Sequence, residues 1–161
     1  MDAIFNRTSI RKYKQESLKK EEIDLILKAA FSAPSARNSQ PWQFIVVQNK
    51  GTLKDLSQMT PYASFLKDAA MGIVVCADKN KNDSLDYCQQ DLAAATENML
   101  VEAKSLGIGS CWLGVYPNEE RYLAINQYFK LPKGIVPTAD RRHGSENFTD
   151  RGLRNDRFYL Q

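Results

Sequence analysis

Ala33-Pro34-Ser35-Ala36-Arg37-Asn38-Ser39-Gln40-Pro41-Trp42 is the stretch on which the fold turns. Before it, Ile23, Ile26, Leu27 and Ala30 fall at i, i+3, i+4 and i+7, one apolar stripe of helical period. That helix is expected to start near Ser17, a good N-cap, with Glu21 and Glu22 at its positive end, and to stop at Pro34. After the stretch, Gln43 to Gln48 is a short β-branched run that reads as a buried strand. The stretch itself is stiffened by two prolines, and its small residues let a planar ligand come near the backbone. Asn38 and Gln40 offer donors and acceptors alike. The same residues fit a plain turn ahead of a core tryptophan equally well.

Working outward, Thr52 to Gln58 suggests a short helix and Met71 to Ala77 a second buried strand. The strongest helix runs from about Ser84 to Leu106, where Cys88, Leu92, Ala95, Met99, Ala103 and Leu106 keep helical spacing. Ala93, Ala94 and Ala95 keep another side of it narrow, so that another backbone can approach closely. Gly107 is a natural C-cap. Ile108 to Val115 reads as a third strand, Asn118 caps a helix reaching about Lys130, and Gly134 to Thr138 suggests a fourth strand. Strands alternating with helices indicate a layered α/β or α+β sheet.

The chain has 161 residues, 43% hydrophobic and 25% charged, with a formal net charge of +3. This is the composition of one globular domain; disorder as the default state needs lower hydrophobicity and higher net charge. The modest charge permits phosphate-bearing ligands without implying nucleic acid. Cys76, Cys88 and Cys111 stand far apart, and with His143 the single histidine, a zinc site is not expected. Met1 to Arg7 has no signal-like apolar run, and Met71 to Ala77 is far short of the roughly 20 residues that span a membrane. A cytoplasmic, soluble protein with reduced thiols is expected.

The acid-base inventory is thin. A nucleophile-histidine apparatus would have to use His143, in the polar tail. Neither a Gly-x-Gly-x-x-Gly nor a Walker A loop is present. Asp24, Asp91 and Glu97 read as solvated or capping carboxylates. An enzyme without its own acid-base machinery takes its chemistry from a cofactor. Two further segments offer binding groups. In Arg7-Thr8-Ser9-Ile10-Arg11, extended chain puts Arg7, Ser9 and Arg11 on one side, a set that suits a phosphate or a ribityl chain, although a solvated basic stretch explains it too. In Gly107-Ile108-Gly109-Ser110-Cys111-Trp112-Leu113-Gly114-Val115, Gly114 leaves a strand end where backbone N–H groups can meet a ligand edge; the alternative is a glycine bulge. Cys111 has no base nearby in sequence and reads as a buried thiol.

Taken together, Arg-x-Ser-x-Arg, Pro-Ser-Ala-x-Asn-x-Gln-Pro-Trp and Gly-x-Gly-x-Cys-Trp-x-Gly, in this order and spacing, resemble the nitroreductase family of FMN-dependent oxidoreductases, over about Met1 to Ala139. The resemblance implies an α+β fold with a mixed central β-sheet flanked by helices, in an intertwined homodimer with FMN at the interface. It implies that Arg7, Thr8, Ser9 and Arg11 hold the flavin's phosphate, ribityl chain and pyrimidine edge. Pro34, Ser35, Ala36, Asn38 and Gln40 would come to the same flavin from the partner chain, and the backbone of Leu113, Gly114 and Val115 would approach the isoalloxazine near its reactive N5. The helix from Ser84 to Leu106 matches the family's dimer-core helix. No side chain is then catalytic and no metal is needed. NADH or NADPH reduces the flavin in a ping-pong cycle, and a small acceptor such as a nitroaromatic or quinone reoxidises it. Flavin fragmentation or reductive dehalogenation on the same scaffold, or flavin binding without efficient turnover, are the alternatives.

From Ala139 on, the chain departs from the family pattern. Where an apolar strand and a glycine are usual, Asp140-Arg141-Arg142-His143-Gly144 is charged and would make a poor central strand. Asn155-Asp156-Arg157-Phe158 resembles the start of the family's C-terminal arm, which gives Arg157 a role at the FMN phosphate. Residues 1–161 are thus read as a single FMN-binding domain with an atypical, irregular tail over 139–161.

Overall fold

The computed structural model describes residues 2–14 and 16–138. Its helices are α1 (Asp2–Asn6), α2 (Lys20–Phe31), α3 (Lys50–Gln58), α4 (Leu85–Ser105) and α5 (Glu119–Phe129), and its strands β1 (Trp42–Val47), β2 (Gly72–Asp78) and β3 (Ile135–Pro137). Short 3-10 turns cover Ala36–Asn38 and Ser64–Asp68. The expectations for residues 139–161, Arg157 included, lie outside the described residues.

β1 is buried on both faces, which is why its sequence is apolar without alternation. Phe44 and Val46 face a core shared with Ile23, Ile26, Leu27 and Ala30 of α2 and with Cys88, Leu92, Ala95 and Met99 of α4. Ile45 and Val47 face a second core with Leu53 and Leu56 of α3 and Ile125 of α5. The sheet therefore lies between two helical layers, the α+β architecture read from the sequence. Its order is β1-β2-β3, with Trp42 opposite Ala77, Val47 opposite Gly72 and Cys76 opposite Pro137. These ladders are antiparallel; the parallel component among the described residues is one isolated bridge, Ser9 to Ser110.

Capping explains where the helices begin and end. α4 lies between Ser84 and Leu106, as its periodicity predicts. Beyond it, Gly107 adopts φ +74, and the N–H groups of Ile108 and Gly107 donate to Ala103 O at 2.7 Å and Lys104 O at 3.0 Å. That paired pattern turns the chain sharply and favours a residue without Cβ. Asn49 and Asn118 cap α3 and α5 by accepting from the N–H of Thr52 and Arg121. α2 starts later than Ser17 suggests. Glu22 accepts from the Lys19 N–H at 2.7 Å, and Leu18 and Ile23, flanking this first turn, are buried in one core.

One expected strand does not form among the described residues. Ile108 to Val115 makes no ladder beyond the Ser110 bridge. β3 covers only residues 76–78 of β2. Between Gly72–Val75 of β2, α4 and the Ser110–Leu113 segment lies a cavity of about 210 Å³ with apolar walls. Among the described residues no strand lies beside Ile108–Val115, and β-branched and aromatic residues do not make a strand by themselves.

Candidate functional site

The Schellman turn at Gly107 sends the following segment back along the N-terminal stretch. The Ile10 N–H donates to Ser110 O at 2.9 Å, so Arg7–Arg11 and Gly107–Val115 meet within one chain. Cys111 marks where they converge. Burial raises its thiol above the ordinary value, while Arg11, a hydrogen bond from Ser9 and Arg7 pull it down. The net effect is upward, so the thiol is protonated at neutral pH and is not an activated nucleophile. Arg7 Nε also lies 3.2 Å from Glu97 Oε1 of α4. Arg11 faces the Phe65 ring, its guanidinium carbon 6.0 Å from the ring centre. Tyr13 stands between these groups: its hydroxyl donates to Ile10 O at 2.8 Å, its ring lies 6.0 Å from Phe65, and burial pushes its ionisation upward. Thr8 and Ser9 are exposed.

The second half of this surface is a row of donors. Among the described residues, none accepts a hydrogen bond from the N–H of Leu113, Gly114 or Val115. Ser110 Oγ and Trp112 Nε1 are buried and have no partner among the described residues. Two guanidinium groups, a hydroxyl and backbone N–H groups that no described residue accepts from form a set suited to a phosphate and the heteroaromatic edge of a ligand.

The Ala33–Trp42 loop lies apart. Among the described residues, no hydrogen bond, ion pair or ring contact joins it to the other two segments. Pro34, Asn38 and Gln40 are exposed, and Ser35 and Ala36 are half-buried. Arg37, Asn38 and Gln40 have φ of 56, 53 and 46, three non-glycine residues in the left-handed region within four positions. Such residues cost of order 1–3 kcal/mol each and persist where their surroundings over-determine them. Here Ser35 Oγ accepts from the Gln40 N–H at 3.0 Å, and Ser35 O from the Asn38 N–H at 3.0 Å. The loop is tied to α4 where Asp91 Oδ1 accepts from the Ala36 N–H at 2.9 Å; Asp91 Oδ2 is buried and has no partner among the described residues. Arg7 meets the same helix at Glu97. Six residues along a helix are about 9 Å of rise and about 240° of rotation, so the two segments hang on different sides of α4.

Sequence reasoning missed Arg121, Tyr62, Tyr13 and Phe65 at this site. They come from a helix, two turns and an extended segment, and no local pattern links them. The left-handed loop was missed as well, since only Asn38 hints at it. Among the described residues, no group of His, Cys, Asp and Glu is placed to hold a metal ion, and no helix is long and apolar enough to cross a membrane.

Fold and site together describe an α+β protein in which two cations and a hydroxyl meet the segment that follows its longest helix. The model of the nitroreductase family matches residues 4–63 and 52–139. A protein of Archaeoglobus fulgidus named "Putative NADH dehydrogenase/NAD(P)H nitroreductase" is 48% identical over 134 residues, which are 83% of this chain and 77% of the relative. A crystal structure of "Putative NADH Oxidase" from Clostridium acetobutylicum superposes with a TM-score of 0.83 at 42% identity, covering 93% of each chain. An FMN-dependent nitroreductase from Clostridium difficile gives a TM-score of 0.79 at 34% identity, covering 90% of each chain. The chain belongs to the nitroreductase family.

Proposed function

We propose that this protein is an FMN-dependent oxidoreductase that takes electrons from NADH or NADPH and passes them to a small acceptor such as a nitroaromatic or a quinone. Family membership supports the NAD(P)H-dependent oxidoreductase activity, and the FMN-dependent relative from Clostridium difficile supports the cofactor. The observation that carries the reading is the meeting of Arg7–Arg11 with the Gly107–Val115 segment through Ile10 and Ser110. That junction sets two cations and a hydroxyl beside N–H groups that no described residue accepts from, and this donor set fits FMN: a dianionic phosphate at one end, acceptor atoms along a flat ring at the other.

Arg7, Thr8, Ser9 and Arg11 would hold the phosphate, ribityl chain and pyrimidine edge, and the backbone of Leu113, Gly114 and Val115 would face the ring. Bound FMN supplies the atom that accepts hydride from NAD(P)H and hands the electrons on. The chain's own task is to bind, orient and favour negative charge on that ring, which N–H groups and cations do by electrostatic stabilisation. Pro34, Ser35, Ala36, Asn38 and Gln40 would reach the flavin of a second copy, in a homodimer. Their separation from Arg7–Arg11 across α4 supports this, as do Ile4 and Phe5 of α1, which are 65% and 80% exposed.

The visible spectrum of the purified protein, before and after anaerobic NAD(P)H, tests the reading. A yellow protein whose FMN is equimolar with the chain, released by denaturation and bleached by the reductant, is expected. A colourless protein that also fails to take up added FMN overturns it.

A further inference from the structure

Gly114 is held from outside its own segment. Arg121 occupies the third position of α5, where Asn118 Oδ1 accepts from its N–H at 3.0 Å and fixes the root of the side chain. Its Nη1 donates to Gly114 O at 3.2 Å, and its guanidinium carbon lies 5.4 Å from the centre of the Tyr62 ring. One half-buried cation thereby joins α5, the segment after α4 and the turn after α3. Tyr116 and Tyr122, stacked with ring centres 5.9 Å apart, close the connection between that segment and α5.

We propose that Arg121 is a positioning residue that tunes the flavin through the Gly114–Val115 peptide. A peptide is planar and trans, so pinning its oxygen fixes the direction of its N–H on the opposite side. A carbonyl that accepts from a cation polarises its peptide and makes the attached N–H a stronger donor. The Val115 N–H, which donates to no described residue, is the group so aimed and strengthened. Its gain is larger toward a reduced, negatively charged flavin than toward an oxidised one, so Arg121 favours reduction more than it favours binding. This inference rests on the FMN reading above.

The test uses the FMN-loaded full chain with Arg121→Gln and Arg121→Lys. Two quantities are measured: affinity for oxidised FMN by fluorescence titration, and the midpoint potential of the bound flavin against a reference dye. Arg121→Gln is expected to leave the affinity for oxidised FMN unchanged and to hold reduced FMN about tenfold more weakly, a fall of about 30 mV for a two-electron couple. Arg121→Lys keeps the charge without the planar fork and is expected to fall between the two. An unmoved midpoint in both variants overturns the proposal, and so does loss of oxidised and reduced FMN by the same factor. If Arg121→Gln does not fold by circular dichroism, the midpoint of Arg121→Lys decides alone: a fall supports the role and no change overturns it. If the unaltered protein binds no FMN, the FMN reading falls and this inference with it; if it binds FMN and the variants behave identically to it, only the role of Arg121 falls.

Discussion

The two regions proposed to hold the flavin are built by opposite means. Arg7–Arg11 and Gly107–Val115 find each other within one chain, through a backbone hydrogen bond, a shared thiol environment and an ordinary glycine turn. The Ala33–Trp42 loop meets neither. It is held by its own serine and by one buried carboxylate, and keeps three non-glycine residues in the left-handed region. The first region is assembled by folding alone. In the second, hydrogen bonds to Ser35 and Asp91 hold an exposed, strained backbone in one shape.

The largest expected effect falls on the first region. Arg7→Ala or Arg11→Ala removes one charge-assisted contact, of roughly 1.5–3 kcal/mol, so FMN affinity measured by fluorescence titration should fall by about tenfold to over a hundredfold. Arg7→Ala should be the more damaging, because it also leaves the Glu97 carboxylate without its partner. Unchanged affinity in both variants would reduce the segment to a solvated basic stretch.

Cys111 gives the same region a pH readout. Arg11 exerts the largest downward pull on a thiol that burial pushes up. Without that cation the thiolate fraction at any given pH drops, so in FMN-free Arg11→Ala the alkylation profile of Cys111 should move to higher pH. Cys76 and Cys88 are fully buried and should not contribute. An unmoved profile would separate Arg11 from the thiol.

In the loop the effects are smaller. Ser35→Ala removes the acceptor of the Gln40 N–H and should cost about 1 kcal/mol of stability in urea unfolding. It should weaken FMN binding less than either arginine change; a larger loss of FMN than of stability would move Ser35 onto the ligand. Smallest is Arg37→Gly, which relieves roughly 1 kcal/mol of left-handed strain, a gain in Tm of about 2–4 °C for a chain of this size. A lower Tm would show that the loop is not strained at Arg37.

Much of this contrast was legible in the sequence, though unevenly. α4 and α5 were readable because their signals are local: an apolar period between Ser84 and Gly107, and Asn118 at a helix start. The first turn of α2 was misplaced because Ser17 competes with a Glu22–Lys19 capping contact supported by Leu18 and Ile23. α1, at five residues, is too short to show a period. Ile108–Val115 has the residues of a strand but, among the described residues, pairs only at Ser110, since strand formation depends on a neighbouring backbone. At the site, the three motifs could be quoted outright, yet Arg121, Tyr62 and the left-handed backbone at Arg37 could not, because contacts between distant segments and φ angles leave no spacing to read.

The central claim is that the two regions complete one flavin site only between two chains, and mixed dimers test it most directly. Arg11→Ala and Asn38→Ala chains, carrying different tags, are co-expressed, and the doubly tagged species is titrated with FMN. If the regions act across chains, a mixed dimer holds one site with both lesions and one with neither. It should then bind one FMN with unaltered affinity, where each parent variant binds weakly throughout. Binding as weak as the parents at every site, or a monomer that binds FMN as tightly as the unaltered protein, would contradict the account.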